Sequence, residues 1–396
     1  MTAGGRAATA SALRVGLVAQ QLRRPVPGGV GTYTRGLLLG LAALGAGRGV
    51  AVELLASRAG RSRPAAPPGR HDDPLRCFGL PLRLSPLPGT LLTAAWDLGV
   101  LGARGRFDVL HASSLAFPRP RGGTAGGRAS LVVTVHDLAW RQHPEATTWR
   151  GRHWHEAALG RALRRATAFV VPSEPVAAEL IGAGASPGAV SVVPEGCDHL
   201  PEPDHEAAAA LLGRHGVRGG YLLTVGTLEP RKNLGRLVAA YELARPALDE
   251  PWPLVVVGPR GWGDAGVGRG VAGPAGVAVV GPVPDGVLAG LYASARAFAY
   301  VPLAEGFGLP PLEAMSFGVP VVTSTAVPSV TPAPGAPAAA LRVAPDAVEA
   351  IAEALVQACT DPATRARLGQ AGKELAATRS WRQAAAGHVA LWESLA

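Results

Sequence analysis

The sequence predicts an α/β fold arranged as two doubly wound, Rossmann-like domains facing across a cleft. Three observations carry this. Short β-branched runs alternate with helix-like segments along almost the whole chain, the pattern of parallel α/β architecture. The 396 residues exceed one ordinary core and suit two domains of roughly 150–200 residues each. The chemically informative stretches fall just after strand-like runs, where open α/β sheets bind ligands.

Taken in order, the first half offers strands at Arg14–Ala19, Val50–Ala56, Val109–Ala112, Leu131–Val135, Ala168–Val171 and Val190–Val193. After the first of these, Gly28-Gly29-Val30-Gly31-Thr32-Tyr33 opens a helix that runs to about Leu44. Backbone N–H groups at such a helix start favour an anion. The dinucleotide fingerprint is not met, because Thr34 stands where its third glycine belongs, and Glu53, near the place of a ribose-binding acid, lies within a strand. A glycine-rich turn alone is as often a tight connection as a phosphate site. Val132-Val133-Thr134-Val135-His136-Asp137-Leu138 sets His136 at a strand's C-terminal end beside an acid, a position for acid–base work or for a hydrogen bond to sugar, although a lone His is more often structural. His111 also ends a strand. Arg58–Pro74 and Gly122–Gly127 read as exposed loops. Leu91, Leu92, Ala95, Trp96 and Leu98, followed by Arg104 and Arg106, read as a buried helix, with an interfacial one as the alternative.

From Pro194 to Gly220 the chain turns irregular and polar around one Ala-rich helix at about Glu206–Arg214, so the domains are drawn as 1–200 and 201–396. Val193–Asp198 reads as a structural or interdomain segment. Strands follow at Tyr221–Val225, Leu254–Val257, Val277–Val280, Ala297–Val301 and Val319–Thr323, and residues 347–396 read as two or three helices.

Two stretches of the second half carry most of the chemistry. In Glu305-Gly-Phe-Gly-Leu-Pro-Pro-Leu-Glu313 two carboxylates bracket a glycine turn and a Pro-Pro pair. Proline is favoured in a first helical turn, so a helix is expected from Pro311, with Glu313 in its first turn and Glu305 on the preceding loop. A lone Glu there would only offset the helix dipole; Glu305 and the glycines are left over. In Gly226-Thr-Leu-Glu-Pro-Arg231-Lys232-Asn233, Lys232 is one of only two lysines among 38 basic residues. An ammonium beside a forked guanidinium suits a diphosphate, while an ordinary Arg-Lys pair is a solvated one.

These stretches resemble the donor-site signature of retaining glycosyltransferases of the GT-B fold, family four (glycosyl transferases group 1), with a mannosyltransferase-like look. The resemblance runs from about residue 14 to 396 and is strongest over 221–328. It implies two Rossmann-like domains, with the last helix packing back on the first. It implies that Arg231 and Lys232 take the donor's diphosphate beside Gly226. Glu305 would hold the transferred sugar with the amides of Gly306, Phe307, Gly308 and Leu309, and Glu313 the ribose. Val283 would lie where the base rests, and Gly29 and Gly31 would face donor phosphates and acceptor. His136, with Glu305, Arg231 and Lys232, would act at the anomeric centre. One segment departs from the pattern: Ser329–Gly335 lacks the acid the family usually carries there.

The implied reaction is retaining transfer of a hexosyl unit to a glycan, lipid-linked or small-molecule acceptor. GDP-mannose is the leading donor and a UDP-sugar stands close behind. A non-catalytic sugar-nucleotide-binding protein is the alternative. No cofactor is expected, and no Asp-x-Asp or clustered His/Asp/Glu spacing calls for a metal. An oxidoreductase or epimerase would need the fingerprint and a Tyr-x-x-x-Lys pair, and both are missing. Three scattered cysteines suit a reducing cytoplasm. The segment Ala7–Leu13 runs into the first strand and does not read as a signal peptide. No apolar run reaches the ~18 residues that span a bilayer. Residues 1–200 carry a net charge of +11 and residues 201–396 a net of −2. That basic half suits peripheral contact with a membrane's inner face, or it reflects the Arg-rich composition. Sparse aromatics, 5% of the chain, argue against nucleic acid.

Overall fold

Thirteen strands form two parallel sheets in a computed structural model that describes residues 12–45, 49–58, 73–123, 127–248, 252–263, 265–266 and 276–396. The first sheet holds β1 (Leu13–Val18), β2 (Val50–Ser57), β3 (Leu82–Ser85), β4 (Val109–Ala112), β5 (Ser130–Thr134), β6 (Ala168–Val171) and β7 (Val190–Val192), in the order β3-β2-β1-β4-β5-β6-β7. The second holds β8 (Leu222–Val225), β9 (Leu254–Val257), β10 (Val277–Gly281), β11 (Ala297–Tyr300), β12 (Val321–Ser324) and β13 (Ala340–Val343), in the order β10-β9-β8-β11-β12-β13.

The apolar runs at β4, β6 and β9 form strands with the expected bounds, and the others shift by one or two residues. β3 and β13 were not expected. Both are edge strands with an arginine inside the run, so neither shows the continuous apolar stretch of a strand buried on both faces.

The helices of the first sheet's domain are α1 (Gly28–Leu44), α2 (Gly89–Asp97), α3 (Ala139–Gln142), α4 (Trp149–Arg165) and α5 (Glu174–Gly182). Then come α6 (His205–Arg214), α7 (Leu234–Ala244), α8 (Asp285–Ser294) and α9 (Leu309–Ser316). The tail is three helices, α10 (Val348–Thr360), α11 (Pro362–Ala377) and α12 (Trp381–Ser394). α12 starts with a capping box, Ser380 with Gln383, and lies along α1 of the first domain. The approach is close. A Cβ at Gly36 would stand 2.0 Å from the Trp381 ring, and one at Gly40 2.0 Å from the Trp381 carbonyl oxygen, so α1 offers bare backbone there.

Each sheet reverses its winding once, between β1 and β4 and between β8 and β11. Those are the crevices where doubly wound sheets take ligands. The first is edged by the start of α1 at Gly28–Gly31 and the loop after β4, with His136 one strand over. The second is edged by Gly226–Asn233 and Val301–Gly308.

Residues 59–72 of the expected Pro/Arg-rich loop, 124–126 of the second loop and 7–11 of the N-terminal stretch lie outside the described residues. Cys77 is exposed, Cys197 and Cys359 are buried, and all three are free thiols. Among the described residues no helix is long and apolar enough to cross a membrane.

Candidate active site

At the end of β8 the chain makes a 3-10 turn, Pro230–Lys232, and stops at Asn233 in a left-handed conformation, φ 57°. The Asn233 amide holds that shape by donating to the carbonyls of Val301, at 2.9 Å, and Pro345, at 2.7 Å. The turn thereby presents Arg231 and Lys232 inward toward the loop after β11. Lys232 Nζ donates to Glu305 Oε2 and to the Tyr300 hydroxyl, both at 2.6 Å. Tyr300 in turn donates to Glu305 Oε2 at 2.5 Å. Arg231 reaches the Ala304 carbonyl at 2.9 Å, Glu305 at 3.3 Å and Glu229 at 3.0 Å.

Burial works against charge on Glu305, but Lys232 and then Arg231 overcome it and hold its carboxyl down at about 2. Burial likewise raises the Glu229 carboxyl, against the pull of Arg231 and Lys232. Gly226 faces Lys232 and Tyr300. The two cations are therefore not solvated. Two carboxylates and a tyrosine anchor them, and Glu305 is committed to both.

Glu313 lies in the second turn of α9, not the first, because the helix begins at Leu309 rather than Pro311. Pro310 and Pro311 both fit, since first-turn N–H groups have no intrahelical acceptor to lose. Gly308 caps the helix, and its carbonyl accepts from the Ser329 hydroxyl at 2.7 Å. Phe307 and Leu309 are buried beside it. Glu313 is itself buried, accepting from the Tyr292 hydroxyl at 2.8 Å and lying 3.3 Å from His199 Nε2.

His136 follows β5. Its Nε2 donates to the Ser113 carbonyl at 2.9 Å, and Nδ1 lies 3.5 Å from Glu195. Burial disfavours its protonated form, but Glu195 more than compensates and raises the pKa. Tyr33 stands edge-on to the imidazole, ring centroids 4.7 Å apart. A buried chain runs from there to α12. Trp392 Nε1 donates to His111 Nδ1 at 3.1 Å, His111 Nε2 to Thr134 at 2.8 Å, Thr134 to Tyr33 at 2.9 Å, and Tyr33 to His388 Nε2 at 2.7 Å. His388 Nδ1 ends it on the Ala384 carbonyl at 2.7 Å. The indole only donates and the carbonyl only accepts, so every tautomer and hydroxyl direction between them is fixed. His111 is thus part of the scaffold behind His136.

The two crevices meet at Gly306. A Cβ there would lie 1.7 Å from the His136 carbonyl oxygen, and the Gly306 carbonyl accepts from Ser173 at 2.6 Å. His136 and Glu305 thereby come to opposite sides of one contact. Trp262 Nε1 donates across the domains to the Ala146 carbonyl at 3.0 Å. Arg35 of α1 pairs with Asp285, the first residue of α8. Val283, just ahead of α8, is half-buried; Gly28 and Gly29 are exposed, while Gly31 is buried in α1. Glu53 stays in β2 and pairs with Arg83 at 2.8 Å. Among the described residues no group of three His, Cys, Asp or Glu side chains gathers as a metal site.

Sequence reasoning passed over Tyr300, Tyr33, Glu195 and His199. Val193–Asp198 held the one usable signal, an acid directly after a strand-like run. Glu195 of this segment touches His136, and His199, the residue just past its end, touches Glu313.

Two family profiles match in tandem: Glycosyltransferase Family 4 over residues 27–199 and Glycosyl transferases group 1 over 215–375. The chain belongs to glycosyltransferase family 4. The family 4 chain is 34% identical over 259 residues to O-antigen chain mannosyltransferase B of Escherichia coli, covering 63% of the chain and 66% of that relative. It is 29% identical over 322 residues to the MMP alpha-(1->4)-mannosyltransferase of Mycolicibacterium hassiacum, covering 74% and 72%. Sucrose-phosphate synthase from Thermosynechococcus elongatus superposes with a TM-score of 0.70 at 20% identity, covering 97% of the chain and 99% of that structure. That likeness, with the two facing sheets and the returning helix, is the GT-B fold.

Proposed function

We propose that this family 4 chain transfers a hexosyl unit, mannose foremost, from a nucleoside-diphosphate sugar to a hydroxyl of a glycan, glycolipid or small-molecule acceptor, with retention and without a metal ion. One observation carries the reading: the buried Arg231–Lys232–Glu305–Tyr300 cluster, at one sheet's switch point, packs through Gly306 against His136 at the other. The mannosyl preference rests on the names of the two relatives, and GDP-mannose on that preference.

Arg231 and Lys232 receive the donor diphosphate and stabilise the charge that develops as it leaves. Glu305 keeps both cations in place and reaches sugar hydroxyls with its remaining acceptor capacity, together with the amides of the Gly306–Leu309 turn. Glu313 takes the ribose, Val283 borders the base, and Gly226, Gly29 and Gly31 give backbone access to phosphates. The acceptor oxygen attacks the anomeric carbon on the face the diphosphate leaves. The C1–O bond to phosphate breaks as the new glycosidic bond forms, and the acceptor's proton passes to the departing phosphate oxygen. His136, its imidazole held between the Ser113 carbonyl and Glu195, borders that centre and donates to the sugar once its Nε2 exchanges the Ser113 carbonyl for a sugar hydroxyl. The free thiols fit a reducing, cytoplasmic setting.

A thermal-shift screen against GDP- and UDP-sugars tests the donor, because a ligand bound only to the folded chain raises its stability by RT ln(1 + [L]/Kd). GDP-mannose is expected to give the largest shift. Lys232→Ala, Glu305→Ala and His136→Ala are then expected to lower donor hydrolysis or transfer by roughly a hundredfold or more, and a chelator is expected to leave wild-type turnover unchanged. Near-wild-type rates in all three variants would sink the site, and a clear shift with no turnover on any acceptor would favour the binding protein.

A further inference from the structure

One face of the first sheet's domain is apolar and cationic together. α2 buries Leu92 and Trp96 but leaves Leu91 57% exposed, and just past its end Leu98 is 76% and Val100 73% exposed. Three exposed aliphatic side chains thus fall within residues 91–100, and an apolar patch rimmed by polar groups is the usual form of an interaction site. Arginines frame them. The Arg119 guanidinium lies between Leu98 and Val100, where a Cβ at Gly99 would be 2.7 Å from its Nε, and Arg121 borders Gly102 in the same way at 2.8 Å. At the end of α4, burial lowers the Arg165 pKa, and the neighbouring charges of Arg119, Arg161, Arg164 and Arg128 add to that.

Acids are sparse around this charge: none occurs in the sequence between Leu98 and Phe107 or between Val109 and His136. Of the two flanking acids, Asp97 accepts from the Trp154 indole at 2.7 Å and pairs with Arg161, and Asp108 accepts from the Arg14 amide at 2.9 Å. Behind the aliphatic rim an open pocket lined by Leu84, Leu87, Leu92, Trp96 and Leu101 carries apolar surface inward past Arg104.

We propose that this face seats the chain on an anionic lipid surface, with Leu91, Leu98 and Val100 entering the headgroup–acyl boundary and Arg119, Arg121 and Arg164 meeting lipid phosphates. The surface differs from the one the sequence alone suggests, since Leu92 and Trp96 point into the core. Charge decides between occupants. A second copy would bring two arginine rims together with few acids to meet them. A nucleic acid would satisfy the arginines but leave three aliphatic side chains without a stacking role. A lipid surface uses both features. The proposal stands apart from the donor site and does not depend on it.

The test is sedimentation of the purified full-length chain with phosphatidylcholine vesicles, with and without about a third phosphatidylglycerol. Binding to the anionic vesicles is expected, weakened by salt. It should fall roughly tenfold or more in Leu98→Ser/Val100→Ser and again in Arg119→Gln/Arg164→Gln. Circular dichroism melts and the donor-induced thermal shift are expected to match wild type in both variants, which separates lost docking from lost folding or a damaged donor site. Absence of binding to anionic vesicles at low salt overturns the proposal. So does undiminished binding by Leu98→Ser/Val100→Ser, and so does self-association in sedimentation velocity that this variant abolishes while vesicles remain unbound.

Discussion

Glu305 is where the residue scale decides most. A carboxylate this buried would ordinarily hold its proton, yet Lys232 and Arg231 keep its carboxyl near 2. The shift is a statement about folding. A group whose pKa is depressed in the folded chain stabilises it at all pH above the unfolded value, and that stability is lost as pH falls through the folded one. From a reference of 4.5 to about 2, the contribution is roughly 3 kcal/mol at neutral pH. Glu305→Gln removes it and leaves two buried cations short of a partner, so urea unfolding is expected to show the variant less stable at about pH 7 and the gap narrowing toward about pH 3. A gap that stays constant across that range would mean Glu305 is not coupled to the cations. The same coupling explains what the motif hid. Arg231, Lys232 and Glu305 were each legible as candidate site residues, but their mutual neutralisation was not, because it joins two loops far apart in sequence and includes Tyr300, which sits at the end of an apolar run and looks like core.

At the scale of elements, α12 ties the end of the chain to the wall behind His136. Its Trp392 and His388 begin and end a hydrogen-bond chain through His111, Thr134 and Tyr33, and burial keeps both of those histidines neutral by lowering their pKa values. Such chains are stable only when every member is satisfied. Tyr33→Phe keeps the ring beside His136 but strands the Thr134 hydroxyl and His388 Nε2. It is expected to cost about 1–3 kcal/mol in denaturant unfolding. The double variant with His388→Leu should lose less than the sum of the singles; strict additivity would show the two side chains are not in one network. No sequence pattern announces this contact, since its members are residues 33, 111, 134, 388 and 392, spread over the four elements α1, β4, β5 and α12. What the sequence does show is governed by burial. Strands covered on both faces, such as Leu254–Val257, appear as unbroken apolar runs, whereas the half-exposed edge strands Leu82–Ser85 and Ala340–Val343 carry arginines and do not. The start of α9 was misjudged because two consecutive prolines fit a first turn at more than one position.

For the molecule as a whole, the proposed function turns on how the two sheets meet. Each sheet brings half of the proposed site at its switch point, and the halves touch where Gly306 lies under the His136 carbonyl, with Ser173, the Arg35–Asp285 pair and the Trp262–Ala146 contact beside it. The last three can give, because they rest on side chains. The Gly306 contact is backbone against backbone, and a Cβ placed 1.7 Å from a carbonyl oxygen has no rotamer to escape through. Gly306→Ala therefore leaves both sheets intact and forbids their closed arrangement. Transfer is expected to fall by roughly tenfold or more, since a small misplacement of the reacting groups has that effect. Small-angle X-ray scattering should show a larger radius of gyration, while the melting of the secondary structure stays close to wild type. Gly213→Ala is the control: it lies in α6 with open space around its Cβ, so it should keep wild-type transfer and gain about 0.5–1 kcal/mol from helix propensity. Wild-type rate and wild-type compactness in Gly306→Ala would show that the closed contact is not the working one, and that the two half-sites engage a donor through some other approach.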